Sequence, residues 1–218
     1  RIEFVTPTEE RKPLVKKAKA KANKAIQELA NSGIVGADTA MDQALLVQAT
    51  APALSFVQDC LSADPEQADV VHDLLVHLAE QMIEMHEQKQ ERIDAFWLDL
   101  EGVTDADTFE DLSEHGKQAR TLWKDAACHP FVEEGRHKTH HLDESLAWNE
   151  DCFKIFVKEL GNGVPNLSDI VSVYRKHHPD YSALIQRIKA TDRLIDLIVY
   201  QLYGLTDEEI AVVERRNE

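Results

Sequence analysis

The sequence predicts an all-α protein, and three observations carry the prediction. Only eight Gly and seven Pro punctuate the 218 residues and aromatics make up 6%, a composition poor in the turns and rings of sandwiches and barrels. Apolar residues recur at three- and four-residue intervals over long stretches, with no convincing alternating segment. Helix start and stop signals bracket those stretches. A hydrophobic content of 43% supports a real core, in one large domain or two small ones.

Thr6-Pro7-Thr8-Glu9 reads as a capping box with Pro set for the first turn, and the Lys/Ala-rich run to Ala30 as one helix ended by Asn31-Ser32-Gly33. Asp38 is expected to cap a short helix through Gln48, and Pro52 to start another through Leu61. Asp64-Pro65-Glu66-Gln67 opens the longest element, residues 65–101, which no breaker interrupts before Gly102. At ~1.5 Å per residue it spans about 54 Å. Val71, Leu74, Leu75, Leu78, Met82, Met85, Ile93, Phe96, Trp97 and Leu100 form its apolar stripe, and Glu80, Glu84, Glu87 and Glu91 follow a polar face. Shorter helices are expected at 105–115, 117–127, 139–160, 168–177, 182–203 and 207–216. Gly161-Asn162-Gly163 with Pro165 marks a loop, and His177-His178-Pro179 a helix end. The expected architecture is an elongated helical bundle around the long helix, closed by a C-terminal helix–Gly–helix pair. Residues 1–62 form N-terminal helices, including a basic one, and 63–218 the long helix plus the C-terminal bundle.

The net charge of −16 is uneven. Residues 1–30 hold eight Lys/Arg against four Asp/Glu, whereas residues 31–115 hold two against nineteen, a block of −17. Such a block repels nucleic acid, whose binding draws most of its affinity from cations that neutralise phosphates. Lys12, Lys16, Lys17, Lys19, Lys21 and Lys24 spread over more than one face of the first helix and are candidates to follow a phosphate backbone. Pairing with the acidic block is the favoured alternative.

No run approaches the ~18 apolar residues of a membrane span and no signal peptide is evident, so a cytoplasmic protein with no membrane partner is expected. Cys60, Cys128 and Cys152 are far apart and odd in number, which suggests neither a disulfide framework nor a zinc ribbon. Cys128 and Cys152 read as small core residues, and Met82 and Met85 as core. The chain opens on Arg1 inside a charged and apolar run, so a fragment of a longer protein is expected.

The most specific string is residues 191–214, TDRLIDLIVYQLYGLTDEEIAVVE. Ile195, Ile198, Val199, Leu202 and Tyr203 recur at helical spacing, Gly204 suits the left-handed residue past a helix end, and Thr206 with Glu209 is a capping box. This segment resembles the one that ends many large bacterial N6-adenine DNA methyltransferases, above all the type IIG restriction-modification enzymes. Residues 82–102 (MIEMHEQKQERIDAFWLDLEG) are similar to a helix near the recognition region of those enzymes, and residues 2–11 (IEFVTPTEER) to a junction there. The three matches follow the family order and cover about a quarter of the chain. The resemblance implies a restriction-modification or phage-defence system, with other domains or subunits of a methyltransferase complex as partners and DNA reached through the parent protein. It also implies S-adenosylmethionine in the parent, and a divalent metal where the parent cleaves.

The family's catalytic motifs are absent from this chain. Asn162-Gly163-Val164-Pro165-Asn166 lacks the paired prolines of the family's Asn-Pro-Pro-Tyr/Phe motif for a flipped adenine. Glu87-Gln88-Lys89 has the spacing of a nuclease acidic-x-Lys pair but falls mid-helix without an upstream Pro-Asp, and reads as surface charge. The expected role is therefore positional, with no catalysis and no cofactor of its own.

Two constellations remain as alternatives. On a helix His137, His140, His141 and Glu144 share one face and suit zinc or another divalent ion, although a solvated or DNA-facing stripe is the plainer reading. Arg136-His137-x-x-x-His141 is similar to the active-site pattern of HEPN ribonucleases, in which His141 would act in acid/base cleavage of RNA and Arg136 would stabilise the phosphate. A third class, a stand-alone acidic interaction protein or DNA mimic, fits the acidic block without a parent enzyme.

Overall fold

The structure, a computed structural model, describes residues 9, 11–33, 39–113, 121–126, 128–129, 141–160 and 164–215. Eight α-helices and one 3-10 turn account for the described residues, with no strand among them. The helices are α1 (Lys12–Ser32), α2 (Ala40–Leu61), α3 (Ala68–Glu101), α4 (Ala106–Ser113), α5 (Leu142–Ser145), α6 (Glu150–Leu160), α7 (Leu167–Tyr203) and α8 (Asp207–Arg215). The all-α expectation holds. The chain divides into two compact units, Arg1–His86 with Gln186–Glu218, and Glu87–Ile185. The units change over within α3 and α7.

In the first unit, α1 buries Ala18, Ala22, Ala25, Ile26 and Leu29. Three of these five are alanines, so α2 can approach closely with Leu46, Ala49, Ala53, Phe56, Val57 and Cys60. Val70, Val71, Leu74 and Leu78 of α3 and Ala190, Leu194 and Ile198 of α7 complete this core. Asp69, 7% exposed, is paired with Arg11, as a buried carboxylate requires. Gly33, at φ 68°, ends α1 in the left-handed conformation.

Several boundaries differ from the sequence expectation. The expected cap, Asp38, lies outside the described residues, and Thr39 caps α2: Thr39 Oγ1 accepts from the Asp42 N–H at 3.1 Å, and Asp42 accepts from the Thr39 N–H at 3.1 Å. It then runs through Pro52 without a break. Pro52 is exposed, so the carbonyl it leaves unpaired can meet water, while buried Ala49, Ala53 and Phe56 hold the helix on both sides. Residues Met41–Leu61 also reach, at a mean hydropathy of 1.2, the length and apolarity of a minimal membrane span, correcting the expectation that no run comes near it. The buried part of this helix packs in the first unit's core. Helix α3 begins three residues later than expected, just after Gln67, whose N–H donates to the Cys60 carbonyl at 3.0 Å.

The second unit buries Ile93, Phe96 and Leu100 of α3 against Cys152, Phe153, Phe156, Val157 and Leu160 of α6 and Ile170, Val171 and Tyr174 of α7. Phe153 stacks on Tyr174 at 4.4 Å between ring centroids, and Tyr174 stacks on His178 at 4.8 Å. The Tyr174 hydroxyl donates to the Trp148 carbonyl, and burial pushes its pKa up. The single helix expected over 139–160 is two: α5 ends at Ser145, and the Asn149 side chain accepts from the Cys152 N–H at 2.8 Å to start α6. At 121–126 the chain forms a 3-10 turn, Leu122–Lys124, where an α-helix was expected.

The expected pair 168–177 and 182–203 is one 37-residue helix, α7, with Pro179 inside it. Pro179 is exposed while Tyr174 and Tyr181 are buried on either side, so packing offsets one lost hydrogen bond, as at Pro52. His177-His178-Pro179 is thus mid-helix, not a helix end. With α3 at 34 residues, the fold has two long helices where one was expected. The C-terminal closure matches the expectation: Gly204 has φ 63°, and Thr206 and Glu209 form the reciprocal capping bonds at 2.9 and 3.3 Å.

Candidate functional site

The lysines of α1 lie on two rims of its exposed surface, because positions three and four apart share a face. Lys17, Lys21 and Lys24 occupy one rim, where Lys17 Nζ sits 5.5 Å from the centroid of the Phe56 ring and Lys24 pairs with Glu28 at 3.6 Å. Lys12, Lys16 and Lys19 occupy the other, and Lys12 pairs with Glu9. The favoured expectation, that these lysines neutralise the acidic 31–115 block, is not met: their ion pairs among the described residues are local to the start and body of α1. Arg11, outside that set, makes the one contact of this kind. Among the described residues Lys16 and Lys19 make no ion pair or hydrogen bond.

The second rim continues into a feature that sequence reasoning missed. Asn23, Gln27 and Asn31 follow Lys16 and Lys19 on the same face and form one wall of a cleft of about 420 Å³, with Ile26 and Ala30 at its base. Gln81 and Met85 of α3 and Arg187 and Thr191 of α7 form the opposite wall. The Gln81 Oε1 atom is buried with no hydrogen-bond partner among the described residues. Thr191 is already satisfied, donating to the Arg187 carbonyl at 2.8 Å. Nearby, burial and the charge of Lys19 lower the His77 pKa. The four-residue spacing of Asn23, Gln27 and Asn31 was visible in the sequence. Their convergence with Arg187 was not, since more than 150 positions separate them.

In the second unit, Asp99 accepts from Lys176 Nζ at 2.6 Å and from His177 Nε2 at 2.7 Å. These hydrogen bonds lower the Asp99 pKa. An Asp–His pair of this kind can orient a catalytic imidazole; Ser172, which lines the adjoining depression, donates its hydroxyl to the Ser168 carbonyl at 2.8 Å. The trio ties α3 to α7.

Of the histidine constellation, Arg136, His137 and His140 lie outside the described residues. Glu144 Oε2 accepts from the backbone N–H of His141 at 3.5 Å. Among the described residues no group of three or more His, Cys, Asp or Glu side chains is arranged to hold a metal. Glu87, Gln88 and Lys89 are in the middle of α3. Cys60, Cys128 and Cys152 are free and buried, and burial raises the pKa of each; all three are core thiols, as expected for Cys128 and Cys152. Comparison with protein families, with curated proteins and with solved structures finds no match to this chain.

Proposed function

We propose that this chain is a helical region of a restriction-modification or phage-defence adenine DNA methyltransferase, which positions the recognition and catalytic parts on DNA and performs no chemistry itself. The observation that carries the reading is the segment 191–214. The residues that give it family character are also the ones that build a defined structural object. Gly204 turns the chain, Thr206 and Glu209 cap α8, and Arg193 pairs with Glu214 at 2.5 Å, fastening α8 back onto α7. In this reading the protein is cytoplasmic, and S-adenosylmethionine and any divalent metal are held by other parts of the parent.

The test is made on the complete encoded protein. Plasmid DNA from cells expressing it is digested to nucleosides and N6-methyladenine is measured. The methylated base is expected with the intact protein, and sequence-specific methylation is expected to vanish when residues 191–215 are deleted. An intact protein that leaves adenine unmethylated refutes the assignment.

The DNA-mimic reading keeps one specific observation in its favour: Glu80, Glu84, Glu87 and Glu91 all remain exposed along α3. It requires the isolated chain to displace DNA from a basic protein. The positional reading requires no such displacement.

A further inference from the structure

Within the reading just given, we propose that the chain itself holds duplex DNA, through the face of α1 bearing Lys16, Lys19, Asn23, Gln27 and Asn31, together with Arg187. The lysine half lies on phosphates and the amide half, with Arg187, on base edges. At 3.6 residues per turn these five side chains fall within about a third of the α1 circumference. From Lys16 to Asn31 they extend roughly 22 Å along the helix axis, about six base-pair steps of B-DNA at ~3.4 Å each.

Charge complementarity selects the occupant. Helix α1 carries six lysines and one glutamate in a chain of net charge −16, and that glutamate, Glu28, is on the opposite rim with Lys24. The proposed face therefore bears no carboxylate of α1. Among the described residues its lysines have no ion pair, unlike Lys12 and Lys24. Cations left unpaired in a strongly acidic protein are suited to phosphate, whose neutralisation releases counterions.

The amide half argues for bases. Asn and Gln offer a donor and an acceptor side by side, the complement of an adenine edge, and Arg is the common partner of guanine O6 and N7. Arg187, on the facing wall of the cleft, is exposed and makes no ion pair among the described residues. Glu80, close enough to His77 to act on its charge, disfavours a phosphate strand laid towards α3 and so helps fix the orientation.

The test uses the full 218-residue chain. Duplexes are selected from a random-sequence pool, and binding to the enriched and to the random duplexes is followed by fluorescence anisotropy across a salt series. The Lys16→Gln/Lys19→Gln variant is expected to weaken all duplexes alike and to reduce the slope of log K against log salt by about 2. The Gln27→Leu/Arg187→Met variant is expected to weaken the enriched duplex roughly 5- to 150-fold and random duplex far less. Lys158→Gln, an exposed lysine of the other unit, leaves both unchanged. Equal losses in Lys158→Gln and Lys16→Gln/Lys19→Gln overturn the surface assignment. Failure to enrich any sequence overturns its base-reading half, and no binding at low salt overturns it whole. Adenine methylation by the complete protein judges the parent assignment separately.

Discussion

Replacing Gly204 with alanine isolates a single physical term. At φ 63° the residue sits in the left-handed region, and a Cβ built there meets no heavy atom within 4 Å. Steric clash with the surroundings is therefore absent, and the cost is local backbone strain, about 1–2 kcal/mol for a non-glycine residue. Alanine also narrows the unfolded ensemble, which offsets about 0.4–1 kcal/mol. The net expectation is a loss of about 1 kcal/mol. Gly33 provides a duplicate, with φ 68° and equally open surroundings, so Gly33→Ala is expected to lose the same amount. Gly102→Ala serves as the control, since a Cβ there makes an ordinary 3.4 Å contact with the Asp99 carbonyl. Urea unfolding followed by far-UV circular dichroism measures all three. A loss above about 3 kcal/mol at Gly204 would mean that the turn is packed rather than open. Stabilisation at Gly204 would mean that the left-handed turn between α7 and α8 is not formed.

Tyr174→Phe removes the hydrogen bond to the Trp148 carbonyl, which costs about 0.5–1.5 kcal/mol in urea unfolding while ring stacking is retained. Glu150 is held at about 2, below its usual 4.5, by hydrogen bonds from Arg175 and Lys154. A depressed carboxylate contributes stability that is complete above about 4.5 and is lost as pH falls towards about 2. Glu150→Gln is therefore expected to flatten the fall in melting temperature over that window, and an unchanged profile refutes the pairing. Cys60, Cys128 and Cys152 are expected to resist alkylation at mildly alkaline pH until denaturant exposes them, since burial both shields the thiols and raises their pKa.

Wherever local chemistry decides structure, the sequence was legible. The apolar stripe of α3 reappears as buried Val71, Leu74, Leu78, Met85, Ile93, Phe96 and Leu100. The Gly204 turn and the Thr206/Glu209 cap also follow from residues within one turn of each other. Legibility failed where tertiary burial outweighed a local signal. Pro52 and Pro179 mark breaks by every local rule, yet buried neighbours on each side carry the helix through. The split between α5 and α6 lacked an apolar interruption to announce it and depends on one capping side chain, Asn149. Of the candidate interface, the lysines and the amides were readable as a periodic face. Gln81 and Arg187 were not, because only folding brings them to that face.

The division of the chain sets an order of events during synthesis. The second unit's buried core is drawn from one continuous stretch, Ile93 to Tyr181, so it can close while the ribosome is still at work. The first unit waits for Ala190, Leu194 and Ile198 to cover the apolar side of α1, α2 and α3. At ~5–20 residues per second, the intervening hundred residues take about 5–20 s to emerge. During that interval Val70, Val71, Leu74 and Leu78 lack their final cover, and this is when a nascent chain of this design most needs a chaperone.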